Sequence, residues 1–485
     1  MSFRLLSIPA VLVLLFPLLT SATEVTRPVF VASVEQSSAL LVWHTQEATA
    51  SIVEYGTTLS YGLQWRSKEL VQIHEVSLYR LESGQRYYYR VRTDDEILFE
   101  GAEYYFETVP DKSSNQTRFL VWGDSGKGDA AQFALVPPMV AAGADFMLHT
   151  GDVIYEDGEA ENFQPRYFEP YADFIRNTPV YLSLGNHDVR TDNGQPYLDA
   201  YYLPTNNPPA NERYYSFNWG QAHFVCMDSN FNIPSEEIAW LRADLEAATT
   251  RWKFVFFHHP PYSCGNHGSD GTARAAFREV MEELDVDVVF NGHEHDYQRT
   301  HPLLDGSAID SDQDPNYVDP RGVIYMVTGG GSAPRPTSNS CWFTNVAIPA
   351  THFTQVDIDG NMLTVNAIDE NGATLDTWTL EKSDPTSGAV ASDSKARLLP
   401  NVPNPFNPVT LLRYEMLAGH DMNLAIYDLR GRVVNTLTSG YRPAGTYQIT
   451  WSGRDHLGQT MPSGLYFARL EVGSERLTRK ILLAK

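Results

Sequence analysis

Five short motifs of this sequence carry side chains that bind metal ions in proteins. In chain order they are GDSG at 123–126, GDVIY at 151–155, GNHD at 185–188, HHP at 258–260 and NGHEH at 291–295. Together they offer carboxylate, phenol, amide and imidazole ligands, and they need no thiolate. This ligand set favours iron, zinc or manganese over copper(I) or a structural zinc site built from cysteines.

The spacing of His293 and His295 allows two interpretations. Residues two apart in an extended segment point the same way, so the pair could be a polar strand end in solvent in a chain with 14 histidines. The neighbouring motifs favour a metal site, because each follows an apolar run and ligands collect outside the carboxyl ends of strands in α/β sheets. One carboxylate could then bridge two metals about 3.5–4 Å apart, as in two-metal hydrolases.

Short apolar strands must position these motifs. The runs that precede them are RFLVW at 118–122, DFMLHT at 145–150, PVYLSL at 179–184, KFVFF at 253–257 and VDVVF at 286–290. The last run is typical of a buried parallel strand, which is apolar on both faces.

Helical patterns alternate with these strands from Arg118 onward. Residues 235–249 begin with Ser235 and have two glutamates in the first turn, as is typical of a helix start. A second helix is predicted over 272–284. The alternation of strands and helices predicts an α/β layer fold.

Two all-β segments flank this region. Residues 24–110 are rich in β-forming residues separated by turns, and they predict a sandwich of about 90 residues. Residues 398–485 predict a second sandwich, and the small, polar, non-periodic residues 383–397 predict a linker. The expected architecture is multidomain, with a central α/β sandwich between two all-β, Ig-like sandwiches.

Composition and the first residues restrict the function classes. The formal charge of −24 argues against a general nucleic-acid role, since phosphate backbones need a basic surface. Residues 1–22 have a basic start, a short apolar core and small residues up to Ala22, which predicts a secretory signal. No later segment is apolar enough to span a bilayer, so we expect an exported protein without a membrane span.

The three cysteines are too few for a disulfide framework. Cys226 lies in the apolar run HFVCM and is expected to be a buried free thiol. Cys264 and Cys341 lie in loops rich in glycine, serine and asparagine, and in an oxidising compartment these two could pair.

The five motifs together resemble those of the calcineurin-like metallophosphoesterases, in their purple acid phosphatase branch. That family's pattern is GDxG, GDxxY, GNH(D/E), VxxH and GHxH, and the resemblance covers residues 115–382. Stretches LLVWHT, VEYG and YYYRVR of the first sandwich resemble the fibronectin type III-like domain of the larger members. The resemblance implies a secreted acid phosphatase that hydrolyses phosphate monoesters at a dinuclear metal centre.

The resemblance also implies a ligand set for two metal ions, which Asp152 would bridge. The other ligands of the first ion, expected to be Fe(III), are Asp124, Tyr155 and His295. Those of the second ion, a divalent iron, zinc or manganese, are Asn186, His258 and His293. A phenolate such as that of Tyr155 stabilises trivalent iron and gives this branch its colour.

Three further residues are expected to handle the substrate. His187 matches the motif histidine that contacts phosphate, and Asp188 follows it as an additional catalytic candidate. His267, nine residues after His258, corresponds to a histidine that would donate a proton to the leaving alkoxide. His259 is expected to point away from the site, because it alternates with His258.

The last segment resembles the C-terminal sorting domain of type IX secretion substrates, in stretches such as NVPNPFNPVT and GLYFARLEV. This resemblance implies a bacterial protein that engages outer-membrane secretion machinery and ends secreted or at the cell surface; a generic binding sandwich is the alternative. For the whole chain, the alternatives are a phosphodiesterase or nucleotide pyrophosphatase on the same metals and a non-catalytic surface-binding protein. The motifs do not separate monoesters from diesters, because the loops set the choice of leaving group.

Overall fold

The computed structural model describes residues 22–231, 233–309, 314–383, 395–399, 401, 403–404, 406–473 and 475–484. The predicted signal sequence, apart from Ala22, and most of the predicted linker lie outside the described residues. Within the part of the chain that is described, no helix has the length and apolar character that a bilayer crossing requires.

Residues 24–110, all of them described, form six β-strands. They are β1 Val25–Val34, β2 Ser38–Gly56, β3 Leu63–Tyr79, β4 Arg86–Arg92, β5 Ile97–Phe99 and β6 Tyr105–Glu107. Hydrogen bonds join all six into one connected sheet in the order β1-β2-β4-β5, with β3 paired to β2 and β6 paired to β4. The long strand β2 pairs with β1, β3 and β4. The likeness to a fibronectin type III domain stays a prediction.

Among the residues described, the central region contains two seven-stranded sheets. Its strands are β7 Gln116–Trp122, β8 Phe146–His149, β9 Val180–Leu182, β10 Tyr215–Trp219, β11 Ala222–Cys226, β12 Trp252–Phe256, β13 Val288–Asn291, β14 Tyr297–Thr300, β15 Leu303–Leu304, β16 Ser307–Ala308, β17 Asn316–Val318, β18 Ile324–Thr328, β19 Thr344–Ile348, β20 His352–Asp359, β21 Met362–Asp369 and β22 Thr374–Glu381. One sheet has the order β17-β22-β21-β20-β7-β8-β9, and the other has the order β10-β11-β12-β13-β18-β14-β19. All five predicted motif-bearing strands are present, and the VDVVF strand is parallel to both of its neighbours.

Five α-helices are present in this region among the residues described. They are α1 Ala130–Ala142, α2 Ala172–Ile175, α3 Gln195–Ala200, α4 Ser235–Ala247 and α5 Gly271–Glu283. Helices α4 and α5 match the two predicted helices. Leu241 of α4 and Phe277 of α5 pack in one cluster with Val255 of β12 and Val289 of β13, so the apolar face of each helix covers the sheet.

Phenylalanines fill the space between the two central sheets. The ring centroid of Phe119 in β7 lies 5.2 Å from Phe224, 5.5 Å from Phe254 and 6.0 Å from Phe290, which belong to neighbouring strands of the other sheet. The alternate residue Val255 faces the helices and is also buried. Because these strands are buried on both faces, their first polar side chains come where the strands end.

The C-terminal strands form two sheets around a core of their own. They are β23 Ala396–Leu398, β24 Thr410–Met416, β25 His420–Tyr427, β26 Val433–Arg442, β27 Gly445–Trp451, β28 Gly464–Val472 and β29 Glu475–Leu483. The sheet orders are β23-β24-β27 and β26-β25-β28-β29. Trp451 and Leu412 of the first sheet share a buried cluster with Leu424 and Leu470 of the second. The two sheets therefore form the β-sandwich predicted for this segment.

Candidate metal centre

The five motifs meet at one edge of the central domain, where strands of both sheets end. Asp124, Asp152 and Asn186 follow β7, β8 and β9 of one sheet, whereas His258 and His293 follow β12 and β13 of the other. Asp124, Asp152 and His293 have positive φ angles of 59°, 52° and 70°. Residues other than glycine rarely adopt this strained conformation, and it concentrates at functional sites.

Gly292 allows the turn of His293 to approach the first motif. A Cβ atom at Gly292 would lie 2.6 Å from Asp124 Oδ2 and 2.7 Å from the carbonyl oxygen of Thr150. Asp124 Oδ2 accepts a hydrogen bond from the backbone N–H of His293 at 2.9 Å. The glycine before the histidine is therefore required by the close contact between these two loops.

The first predicted ligand set forms one buried cluster. The hydroxyl oxygen of Tyr155 lies 3.1 Å from His295 Nε2, 3.2 Å from Asp124 Oδ1 and 3.1 Å from Asp152 Oδ2. His295 Nε2 lies 3.6 Å from Asp124 Oδ1. Four ligand atoms of three chemical types therefore surround one small space.

The second predicted ligand set adjoins the first. His258 Nε2 lies 3.3 Å from Asp152 Oδ2, 3.0 Å from Asn186 Oδ1 and 3.2 Å from His293 Nδ1. Asp152 Oδ2 is thus close to both sets, in the place expected of a bridging ligand. His293 and His295 belong to different sets although only one residue separates them, because the positive φ of His293 takes this segment out of the extended conformation.

Burial and neighbouring charges shift the pKa values in this cluster. Burial raises the pKa of Asp124 well above its usual range, and the Asp152 carboxylate adds to the rise. Burial acts on Asp152 in the same direction, but the attraction of the His258 imidazole prevails and lowers its pKa. Burial would lower the pKa of His258, yet Asp152 raises it to about 9. Burial lowers the pKa of His293 to about 2 and that of His295 to about 3, so both are neutral, as metal ligands must be.

The arrangement fits a pair of metal ions. The ligand atoms of Asp124, Asp152 and His258 all lie within 4.8 Å of one another, and so do those of His258, His259 and His293. Two buried carboxylates this close repel each other, and a cation beside them removes that cost. Carboxylate, phenol, amide and imidazole ligands suit iron, zinc and manganese.

Contacts outside the cluster orient two of the histidines. His258 Nδ1 lies 2.9 Å from the carbonyl oxygen of Thr150 and donates a hydrogen bond to it, which directs Nε2 into the cluster. His295 Nδ1 lies 2.9 Å from the hydroxyl of the buried Ser332. Such contacts hold the ring and its tautomer in the state that a metal ligand needs.

Asp188, predicted to be catalytic, instead contacts the backbone of the loops that carry the ligand residues. Its carboxylate is buried and accepts hydrogen bonds from the backbone N–H groups of Val153, Ile154 and Gly185 at 2.8–3.1 Å. Burial raises its pKa to about 7. Because both oxygens are used in joining the loops of the second and third motifs, Asp188 positions the ligands and does not face a substrate.

The structure brings both predicted substrate histidines to the cluster. The ring centroid of His187 lies 4.3 Å from that of Tyr155, and its Nε2 lies 3.9 Å from Asp152 Oδ2. His267 lies on an exposed loop, with its ring centroid 4.5 Å from that of His293. His187 therefore stands beside the first ligand set and His267 beside the second.

His259 also reaches the cluster, contrary to the predicted alternation. Strand β12 ends at Phe256, so the extended geometry that would turn His259 away does not continue to this residue. Its ring centroid lies 4.8 Å from that of His293, and its Nδ1 lies 2.9 Å from Ser229 Oγ. Neither contact could be inferred from neighbouring residues, because Ser229 lies 30 residues before His259 and His293 lies in another motif.

A sixth strand end, overlooked in the sequence, also borders the site. Strand β18 is parallel to β13 and is followed by three glycines at 329–331. This segment supplies Ser332 and Arg335, whose Nη1 lies 3.3 Å from His267 Nε2. The sequence carried a signal for this strand end, because the apolar run IYMVT precedes a glycine turn, as in four of the five motifs.

A disulfide bond ties the loops around His267. Cys264 and Cys341 are bonded, with their Cα atoms 6.0 Å apart, so the pairing considered from the sequence is confirmed. Cys226 is the buried free thiol that was predicted. The bond links the loop of His267 to the segment that follows Arg335.

Parts of this chain are similar to known families and proteins. Residues 117–297 match the calcineurin-like phosphoesterase family, and residues 415–475 match the FlgD Ig-like domain family. Acid phosphatase type 7 of Mus musculus is 23% identical over 336 residues, which cover 61% of this chain and 75% of that protein. Purple acid phosphatase 22 of Arabidopsis thaliana is 29% identical over 278 residues, which cover 54% of this chain and 58% of that protein.

A solved structure has the same fold. Purple acid phosphatase PPD1 from yellow lupin (Lupinus luteus) seeds matches with a TM-score of 0.65 and 16% identity, covering 75% of this chain and 77% of that one. The phosphoesterase match and the phosphatase relatives support phosphoric monoester hydrolase activity. Residues 117–297 therefore form a calcineurin-like metallophosphoesterase domain with purple acid phosphatase relatives, followed by a FlgD Ig-like domain at 415–475.

Proposed function

We propose that this chain hydrolyses phosphate monoesters at a pair of metal ions. One observation carries the proposal: Asp152 Oδ2 lies 3.1 Å from the Tyr155 hydroxyl of one ligand set and 3.3 Å from His258 Nε2 of the other. A shared carboxylate between two complete sets is what a dinuclear hydrolase needs. The presence of both complete ligand sets argues against a non-catalytic surface-binding protein, in which some of the ligand residues are expected to be missing.

In this proposal Asp152 would help to hold both ions. The remaining ligands of the two positions are Asp124, Tyr155 and His295 for one, and Asn186, His258 and His293 for the other. Tyr155 favours Fe(III) at the first position, with divalent iron, zinc or manganese at the second. When bound, the metals supply Lewis-acid activation of the phosphate and of the attacking water.

Histidines and nearby cations act on the substrate. His187 contacts the phosphate oxygens and stabilises the charge that develops on them. His267 donates a proton to the leaving alkoxide. Lys127, whose Nζ lies 4.7 Å from the Tyr155 ring centroid, and Arg335 add positive charge at the site. These cations attract an anionic ester to a chain whose formal charge is −24.

A substrate panel tests this proposal against hydrolysis of diesters or nucleotide pyrophosphates on the same metals. The purified full chain is assayed on phosphate monoesters, diesters and nucleotide pyrophosphates, and the metal content of the same sample is measured. We expect two metal ions per chain, preferential monoester hydrolysis and loss of activity on chelation. Faster hydrolysis of diesters or pyrophosphates would replace the monoester proposal, and an inactive sample with two metals would refute both.

We further propose that residues 1–22 direct export and that residues 398–485 direct passage across an outer membrane through type IX secretion machinery. The protein would then be secreted or held at the cell surface. The sequence resemblance of the last segment supports this role, and the Cys264–Cys341 disulfide suits an oxidising compartment.

A further inference from the structure

A buried carboxylate holds the exposed loop that carries His267. Glu294, the middle residue of the GHEH motif, accepts the backbone N–H of His267 at 2.6 Å and that of Gly268 at 2.8 Å, both through Oε1. The side chain of Glu294 is only 1% exposed. Carboxylates are rarely buried this deeply without a partner that offsets the loss of water.

The loop is shaped around this carboxylate. A Cβ atom at Gly265 would lie 2.6 Å from Glu294 Cδ, so only glycine permits the approach. Gln298 Oε1 accepts the backbone N–H of Cys264 at 2.7 Å, and the disulfide holds the same cysteine. The segment 294–298 is therefore the base on which the His267 loop rests.

The second oxygen of Glu294 faces the His267 ring. Oε2 lies 3.4 Å from His267 Nδ1 and, among the residues described, accepts no hydrogen bond. On the other side of the ring, Arg335 Nη1 lies 3.3 Å from Nε2. Because arginine can only donate, Nε2 accepts, and the hydrogen of the neutral ring lies on Nδ1, towards Glu294.

We propose that Glu294 is the positioning residue that orients His267 for proton transfer to the leaving group. The inference rests on the proposed phosphatase function. The carboxylate holds the loop backbone through Oε1 and faces Nδ1 through Oε2, so that the ring stays beside His293 of the second ligand set. The donating form of the ring carries a hydrogen on both nitrogens. As the oxygen of the attacking water bonds to phosphorus, the leaving oxygen keeps the electron pair of the broken P–O bond and takes the proton from Nε2, which yields an alcohol and the neutral ring with its hydrogen on Nδ1.

Glu294→Gln tests this role, because the amide keeps the size and the acceptor oxygen but removes the charge that faces Nδ1. We compare an alkyl phosphate, whose leaving alkoxide needs a proton, with p-nitrophenyl phosphate, whose leaving group departs without one. We expect kcat for the alkyl phosphate to fall about tenfold more than kcat for p-nitrophenyl phosphate, with KM and metal content unchanged. In a His267→Ala background, the same substitution is expected to have no further effect.

Asp287→Asn is the matched control, because Asp287 is a buried carboxylate that accepts the backbone N–H of Lys253 at 2.9 Å and lies outside the segment 294–298. It is expected to affect both esters equally. Should Glu294→Gln lose its metals, Glu294→Asp, which withdraws the charge from the ring, is expected to show the same selective loss. Equal losses on both esters in the variant that keeps its metals would overturn the role of Glu294. Wild-type protein inactive on both esters would overturn the proposed function itself.

Discussion

At the scale of single residues, the charge of Asp152 joins the two ligand sets. Asparagine keeps the size of this side chain but not the charge that offsets two cations, so we expect Asp152→Asn to lose most bound metal and about 100-fold or more in activity while remaining folded. Metal analysis, kinetics and circular dichroism on one sample measure this. Asp145→Asn, just before the same strand, is the control. Two bound metals with near-normal turnover would show that Asp152 is not the bridge.

In the proposed site, Tyr155 is the ligand that favours Fe(III) at the first position. Burial raises the pKa of its hydroxyl well above the usual value, and the carboxylates of Asp152 and Asp124 raise it further, so a phenolate forms only where a strong cation replaces the proton. We expect iron-loaded, oxidised protein to absorb visible light and Tyr155→Phe to lose this band while keeping metal. Tyr171→Phe, at another buried tyrosine, should keep the band. Colourless protein that is active with zinc or manganese would leave Tyr155 as a packing residue.

At the scale of elements, helix α4 buries an acidic residue that makes stability depend on pH. Glu237 is 3% exposed, and its Oε1 accepts the backbone N–H of Asp228 at 3.0 Å. Burial raises the pKa of Glu237 to about 8, and the charge of Asp228 adds to the rise. The folded chain therefore keeps a proton that the unfolded chain releases near the ordinary glutamate pKa of about 4.3. Its contribution to stability is full below that value and is lost as pH rises to about 8.

Glu237→Gln keeps the acceptor oxygen and removes the titration. Between about pH 5.5 and about pH 8.5, we expect the variant to lose about 3 kcal/mol less unfolding free energy than the wild type. Urea unfolding at the two pH values measures the difference. Glu236→Gln, at the exposed neighbouring position, should behave as the wild type. Equal pH dependence in the Glu237 variant and the wild type would contradict this account.

The disulfide joins loops that are 77 residues apart in sequence. Such a bond restricts the unfolded chain, and its loss typically costs about 2–5 kcal/mol. We expect the double variant Cys264→Ser/Cys341→Ser to unfold at a lower temperature in calorimetry and to turn over alkyl phosphates more slowly, because the His267 loop is released. Thiol titration of denatured wild-type protein should detect only Cys226. Three reactive thiols would show that the bond does not form.

At the scale of the whole molecule, the two flanking segments relate differently to the catalytic domain. The N-terminal strands share a buried cluster with it, in which the ring centroids of Phe30 and Phe168 lie 5.0 Å apart. The described members of the C-terminal cluster, by contrast, all lie within 396–483. Arg479 reaches Asp305 of the catalytic domain at 3.4 Å, and such a surface ion pair contributes little to stability.

We therefore expect a variant that lacks residues 398–485 to keep its hydrolytic activity but to remain in the periplasm. The catalytic domain keeps its own buried clusters, whereas the proposed sorting segment is gone. Cell fractionation and an ester assay on each fraction measure the two effects, and mass spectrometry of the full-length secreted protein tests removal of residues 1–22. Normal amounts of the truncated protein outside the cell would contradict the sorting role.

The strands and the candidate ligands that follow them could be inferred without the structure. Strands buried on both faces must be apolar along their length, so a polar residue such as Asp124, Asp152 or His258 marks the strand end without any knowledge of the fold. The family resemblance then divided these residues into two sets that share Asp152. The distances between the side chains agree with that division.

Two features could be seen only in the folded chain: the motif-bearing strands belong to two sheets, and the site lies where both sheets end. The same holds for three contacts: Asp188 accepts backbone N–H groups of the ligand-bearing loops, His259 contacts His293, and Glu294 supports the loop of His267. A local pattern indicates that a polar side chain follows a strand. Whether that side chain meets a ligand, a backbone N–H or solvent depends on loops distant in sequence, because those loops fill the space around it.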